Sequence, residues 1–222
     1  MASTLTAPRT ESAAPLRMTW EEFLDFDYEG QAEWVDGEVV FEMVTKVHAV
    51  ALSFISFFLR SFCDATGLGK AFTEPYVMRA VPGKSGRSPD IFVLLNASLP
   101  RMGDKFLDGP ADLAVEIISD TSIRRDRDDK FREYAEGGVS EYWIIDARPG
   151  FERADFFVLA PDPAHAGRKA YRPVPIGDDG VYHSTILAGL WLRVAWLWTE
   201  DATPLKCIAE VVGRERLLAL LD

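Results

Sequence analysis

The sequence predicts one α/β domain built around a mixed sheet. Short apolar runs rich in β-branched and aromatic residues, "SPDIFVLL", "ADLAVEIIS" and "EYWIID", recur along the chain beside segments of helical period. At 222 residues the chain is long enough to close a core of its own, and 48% of it is hydrophobic against 27% charged. Neither an internal repeat nor a low-complexity tract interrupts it, so helices packed on one sheet are the economical architecture.

The start, "MASTLTAPRTESAAPLR", has no apolar core of signal-peptide length and reads as a flexible lead. Ordered structure is expected from "TWEEFLDF", where Thr19 followed three residues later by Glu22 is a capping-box pattern opening a short helix. "AEWVDGEVVFEM" alternates around Asp36-Gly37, the signal of a tight turn between two short strands. From Lys46 to Ala65, Val47, Val50, Phe54, Phe58 and Phe62 recur at helical spacing and predict a long helix with one aromatic face, ended by Gly67 and Gly69. Three strands follow, "AFTEPYVMRA", "SPDIFVLL" and "ADLAVEIIS", with a turn at Pro82–Arg87 and a loop from Asn96 to Pro110 between them. Residues 123 to 136 predict a charged helix with Phe131, Tyr134 and Ala135 as its inward stripe, stopped by Gly137-Gly138 before "EYWIID". Beyond Pro149, "RADFFVLA", "KAYRPVP", "GVYHSTIL" and "GLWLRVAWL" read as strands, and residues 207 to 221 as a terminal helix.

Composition narrows the function. Asp and Glu total 35 against 24 Lys and Arg, a net charge of -11, which argues against broad, sequence-blind adhesion to nucleic acid. A local basic patch around a metal remains compatible with that total. Cys63 and Cys207 lie far apart with no partner motif, so neither a zinc site nor a disulfide framework is implied, and a reducing cytosol is the simpler setting. No uninterrupted apolar run approaches the ~20 residues that cross a bilayer. A cytoplasmic protein away from membranes is expected.

Chemistry enters where acids interrupt strands. Leu113, Val115, Ile117 and Ile118 mark a strand buried on both faces, yet Glu116 stands among them. A carboxylate taken out of water is costly unless something positive meets it. Asp90 likewise opens "DIFVLL" after Ser88-Pro89. If the two strands pair, both acids reach one face. Two oxygen ligands, with water and phosphate completing the shell, suit Mg²⁺, which lowers the pKa of bound water and neutralises charge on a phosphate. The strand of Glu116 runs straight into the helix of Asp126, Lys130 and Tyr134, four residues apart and on one side, so Lys130 is the candidate to orient an attacking water.

Blander roles exist for each residue. Asp90 can start a strand, and Glu116 can be a structural acid paired with Arg79 or Arg125. Asp126 and Lys130 can be an ordinary surface pair, and Arg124, Arg125 and Arg127 part of a wet face. His48 reads as a polar cap or packed histidine, and Trp191, Trp196 and Trp198 as core or interface aromatics.

"SPD", then "DLAVEIIS", then "DRDDKFREYAEGGVSEYWIID", together with the upstream "AEWVDGEVV" and the His48 helix, resembles the Uma-two family of endonuclease-like proteins within the PD-(D/E)xK nuclease superfamily, over roughly residues 18 to 198. The resemblance implies a restriction-endonuclease-like core, a mixed central sheet flanked by helices, over residues 18 to 200, with a lead over 1 to 17 and a helical extension over 201 to 222. It implies that Asp90 and Glu116 bind Mg²⁺, with Mn²⁺ as a substitute, and that Glu33 is an auxiliary ligand. The superfamily's lysine two residues after the acid is Ile118 here, and the family's shift of that lysine to the next helix points to Lys130. Ser119-Asp120-Thr121 stands where the family has "SPS". The implied activity is metal-dependent hydrolysis of phosphodiester bonds in DNA by a homodimer. The alternative is an inactive nuclease fold serving as an interaction or regulatory module, favoured by the net charge and by Ile118.

Overall fold

The computed structural model describes residues 15–28, 30–42, 44–73, 75–199 and 202–220. Strand β1 (Leu16–Arg17) leads into α1 (Trp20–Leu24), whose capping box forms as the Thr19/Glu22 spacing requires: the Thr19 side chain accepts from the Glu22 amide, and the Glu22 carboxylate from the Thr19 amide. The lead expected over 1–17 lies outside the described residues up to 14, and its last two residues pair with Val39 and Glu38. Strands β2 (Gln31–Val35) and β3 (Glu38–Glu42) form the expected hairpin. Both turn residues have positive φ, 49° at Asp36 and 86° at Gly37, the requirement of a type I′ turn.

Helix α2 (Lys46–Thr66) starts on a Thr45 cap and stops at Gly67, left-handed at φ 67°. Its buried stripe is His48, Ala51, Ile55, Phe58, Leu59, Phe62 and Cys63, not one centred on the expected valines: Val50 is 63% exposed. α2 has the length and apolar composition of a bilayer-crossing segment, which the absence of an uninterrupted apolar run did not reveal. In this fold its apolar face packs in one core with Ile91, Val93, Val115 and Ile117 of the sheet. Gly69, expected to help end the helix, instead opens β4 (Gly69–Thr73), where a Cβ would stand 2.1 Å from the Leu94 carbonyl oxygen.

"AFTEPYVMRA" is not one strand. It divides at Pro75 into the end of β4 and a separate β5 (Val77–Arg79), because proline cannot donate to a ladder. After β6 (Ile91–Leu95), the expected loop contains β7 (Phe106–Asp108), which pairs in parallel with β5. β8 (Leu113–Ile117) is followed by a π-helical segment, Arg125–Lys130, running into α3 (Phe131–Gly137), then β9 (Glu141–Asp146), β10 (Arg153–Pro161) and β11 (Lys169–Pro173). The six-stranded mixed sheet runs β4-β6-β8-β9-β10-β11, with β8 and β9 parallel and the other pairs antiparallel.

Of the last two expected strands only short pieces form, β12 (Val181–His183) and β13 (Trp191–Arg193), the latter ending in a 3-10 turn at Val194–Leu197. The terminal helix begins earlier than expected, with Pro204 in its first turn. It breaks at Gly213 (φ 85°), giving α4 (Pro204–Val212) and α5 (Arg214–Leu218). α4 packs through Cys207 and Ile208 into the core that α2 shares with the sheet. On β8, Val115 and Ile117 face that core. Ala114 and Ile118 face a second one with Tyr134 and Tyr142, so the sheet is covered on both sides. Glu116, between Ala114 and Ile118 in the alternation, faces the second side.

Candidate active site

Register brings the two acids together. β6 and β8 pair with Ile91 opposite Val115, so Asp90, one step before, falls opposite Glu116. The Ile117 amide donates to Asp90 Oδ2 at 2.6 Å, tying that carboxylate to the backbone beside Glu116. The other oxygen, Oδ1, lies 3.1 Å from His48 Nε2, which the first turn of α2 delivers. Glu116 accepts from the Tyr134 hydroxyl at 2.7 Å and from Lys130 Nζ at 2.9 Å. These partners replace Arg79, which lies over the Trp20 ring, and Arg125, whose Nε is 3.9 Å from Glu33.

Lys130 is enclosed by acids. Its Nζ is 2.8 Å from Glu33 Oε1 and 3.5 Å from Asp126 Oδ1 as well as bonded to Glu116. Glu33, on β2, also accepts from the Ser88 amide at 3.2 Å and from Arg87 Nη1 at 3.1 Å. None of Glu33, His48, Arg87, Asp90, Glu116, Asp126, Lys130 and Tyr134 is more than 5% exposed. The wet helix face read from "RDRDDK" is therefore corrected at Asp126 and Lys130, which the π-helical segment carries into the interior. Such segments recur at functional sites. Ile118, where the resemblance put a lysine two residues after the acid, packs in the apolar core beside Tyr134. The ammonium comes from the next helix instead.

Negative charge exceeds what the lysine can balance. Burial pushes the Glu116 carboxyl well above the usual range, and Asp126, Asp90 and Glu33 push it further, against the pull of Lys130. Asp126 is raised chiefly by burial, and its Oδ1 accepts no hydrogen bond. Burial would lower Lys130, but Glu116 and Glu33 hold its ammonium charged well above the ordinary lysine range. Burial would also raise Glu33, yet Lys130, Arg87 and Arg125 outweigh it and lower its pKa to about 2.

An acid depressed from 4.5 to about 2 contributes stability that is complete above the unfolded value and lost as pH falls through that window. Urea unfolding of the wild type should lose ~3 kcal/mol from this group between about pH 5 and pH 2. Glu33→Gln should be less stable at neutral pH, with the gap closing toward pH 2. A gap that stays constant with pH would remove Glu33 from the ion-pair network.

Asp90, Glu116, Lys130 and Glu33, the four residues singled out in the sequence, thus meet in one cluster. Sequence reasoning passed over Arg87 and read His48 as a polar cap or packed histidine; it placed Asp126 and Tyr134 on the side of Lys130 without giving either a role at the acids. The signals were weak: a histidine three residues after a capping threonine, and an arginine two residues before Pro89. Among the described residues no three His, Cys, Asp or Glu side chains form a ready-made metal cage. A cleft of about 670 Å³ beside the cluster is lined by Lys84, Arg87, Arg125 and Arg132, but equally by Asp36, Asp129, Glu133 and Glu136. With Lys84 bonded to Glu136 and Arg87 to Glu133, it is charge-balanced rather than basic.

The sequence profile of the Uma2 family, described as "putative restriction endonuclease", matches residues 20–195. Among solved structures, a putative nuclease belonging to DUF820 from Anabaena variabilis ATCC 29413 is similar in fold, with a TM-score of 0.60 and 20% sequence identity over 82% of this chain and 97% of that one. No curated protein matches. A profile that spans most of the chain places the protein: it belongs to the Uma2 family.

Proposed function

We propose that the protein is a metal-dependent endonuclease that hydrolyses phosphodiester bonds in DNA. The observation that carries this reading is the pairing of Asp90 with Glu116 across β6 and β8, with Lys130 on Glu116 at 2.9 Å. The donors fit Mg²⁺: they are hard carboxylate oxygens, in excess of the local cations, whose burial and mutual repulsion favour added positive charge. Asp90 and Glu116 would hold the ion, with water and phosphate oxygens filling its shell. When bound, Mg²⁺ supplies charge for the phosphate and lowers the pKa of a water.

The chain's own groups do the remainder. The Ile117 amide and His48 fix the Asp90 carboxylate, and Tyr134 fixes Glu116. Glu33, named from the resemblance as an auxiliary ligand, has both oxygens engaged by Lys130, Ser88 and Arg87, and we assign it to hold Lys130 in place. Lys130 donates to the attacking water and stabilises charge developing on the phosphate. A homodimer would supply the two sites that double-strand cutting needs.

The test is nicking of supercoiled plasmid by the wild type with Mg²⁺, Mn²⁺ or chelator. Metal-dependent conversion to open circles is the expected result, and no conversion with either metal sinks the activity. The charge-balanced cleft favours a second reading, an inactive nuclease fold acting as a protein-interaction module. That reading expects neither nicking nor a shift in melting temperature with Mg²⁺.

A further inference from the structure

The β9–β10 turn presents an aromatic ring with no role in the core. Phe151 is 64% exposed, the most exposed large hydrophobic among the described residues. Its position is fixed by a tight turn: the Phe151 amide bonds the Arg148 carbonyl at 2.9 Å, with Pro149 and Gly150 (φ 83°) between them. Proline followed by a positive-φ glycine is the composition of a type II turn. The Glu152 side chain accepts from the Gly150 amide and braces the turn further.

One ring face is already covered. The Arg148 guanidinium lies 4.8 Å from the Phe151 centroid and is itself held by Asp146 and Asp120. This leaves the other face open on a rigid support. Phe151 and Arg148 line a cleft of about 280 Å³ with Thr45, Val47, Ser119 and Asp120. Those neighbours tie the cleft to the acids. Ser119 lies three residues past Glu116, and Thr45 caps the turn that delivers His48. The cleft therefore opens at the carboxyl end of β8 and β9, three residues along the chain from Glu116 and one from His48.

We propose that this cleft is a nucleobase subsite, in which an unstacked base of the bound strand lies on the open face of Phe151. The inference rests on the nuclease reading. Phosphate is the weaker candidate occupant, because two carboxylates already neutralise Arg148. Stacking needs only a ring face and tolerates any base. Since a paired base cannot leave its stack freely, the subsite favours single-stranded, frayed or distorted DNA over intact duplex.

The test is fluorescence anisotropy with a labelled single-stranded oligonucleotide and its duplex, in Ca²⁺, for wild type, Phe151→Ala and Phe151→Trp. The alanine variant should bind the single strand roughly 10-fold more weakly, within the range typical of one stacked base, while its salt dependence stays that of the wild type. Phe151→Trp should bind at least as tightly as wild type. If wild type binds and Phe151→Ala binds equally well, the subsite is overturned and the nuclease reading stands. A weakened variant with a shallower salt slope would mean a lost phosphate contact, and also overturns it. If the wild type binds neither oligonucleotide, both readings fall.

Discussion

Lys130→Ala should be among the most destabilising substitutions in the chain. Its ammonium touches Glu33, Glu116 and Asp126 and is 1% exposed, and removing it leaves three buried carboxylates facing one another. Breaking a buried pair by deleting one partner costs ~3–5 kcal/mol, a large share of the ~5–15 kcal/mol that holds a typical domain together. For a chain of this length that is a fall of roughly 10 °C in melting temperature.

The loss should depend on pH in one direction. Without the ammonium, Glu116 and Asp126 bind protons more tightly folded than unfolded, so the variant loses stability as pH rises through and above the ordinary carboxylate range. The deficit against wild type is then larger at pH 8 than at pH 5. Lys130→Arg should rescue poorly, since a planar guanidinium has no room where a compact ammonium sits. Arg127→Ala is the control on the same segment: Arg127 reaches outward to Asp155 at 2.7 Å, and its loss should cost ~1 kcal/mol or less. Equal stability of Lys130→Ala and wild type at pH 7 would mean the cage does not exist in solution.

How much of this was legible can be judged residue by residue. The hairpin at Asp36-Gly37 and the capping box at Thr19 rest on backbone requirements that few residue types meet, so sequence alone located them. Asp90 and Glu116 were legible because a charge inside an apolar strand demands a reason. Lys130 was legible from the step of the Glu116 strand into its helix and from the family resemblance, although "RDRDDK" has the composition of a solvated helix. Its burial comes from the partners that β2, β6 and β8 bring to it, and those are set by tertiary register rather than local pattern. The division of "AFTEPYVMRA" was signalled by Pro75, whereas the parallel pairing of β5 with β7 links residues about thirty positions apart and leaves no local trace. Glu141 shows the same limit from the other side. It reads as an ordinary strand start, yet it is fully buried and accepts from Trp143 and from residues 184 to 186.

Asp90→Asn should abolish metal-dependent nicking while leaving the fold intact. An asparagine side-chain carbonyl can still accept from the Ile117 amide, so the link between β6 and the backbone beside Glu116 survives. What is lost is one of the two charges that would hold the ion. Several kcal/mol of transition-state stabilisation go with it, a fall of ~1,000-fold or more in rate. Calorimetry should show Mg²⁺ binding to wild type and none to the variant. Wild type should also gain ~2.7 kcal/mol of stability at a hundred times the dissociation constant, because only the folded chain offers both ligands.

Protons provide an independent check. Glu116 holds its proton well above the usual carboxylate range, partly because Asp90 faces it, so Mg²⁺ must displace protons and should bind more weakly as pH falls. The same raised pKa makes the metal-free wild type lose stability as pH rises above the unfolded value of about 4.5, and Mg²⁺ should restore it. Removing the Asp90 charge lowers the proton affinity of Glu116, so Asp90→Asn should flatten that pH dependence even as it abolishes the metal response. Undiminished nicking by Asp90→Asn, or a wild-type melting temperature indifferent to Mg²⁺ at neutral pH, would show that the two acids face each other for structural reasons alone.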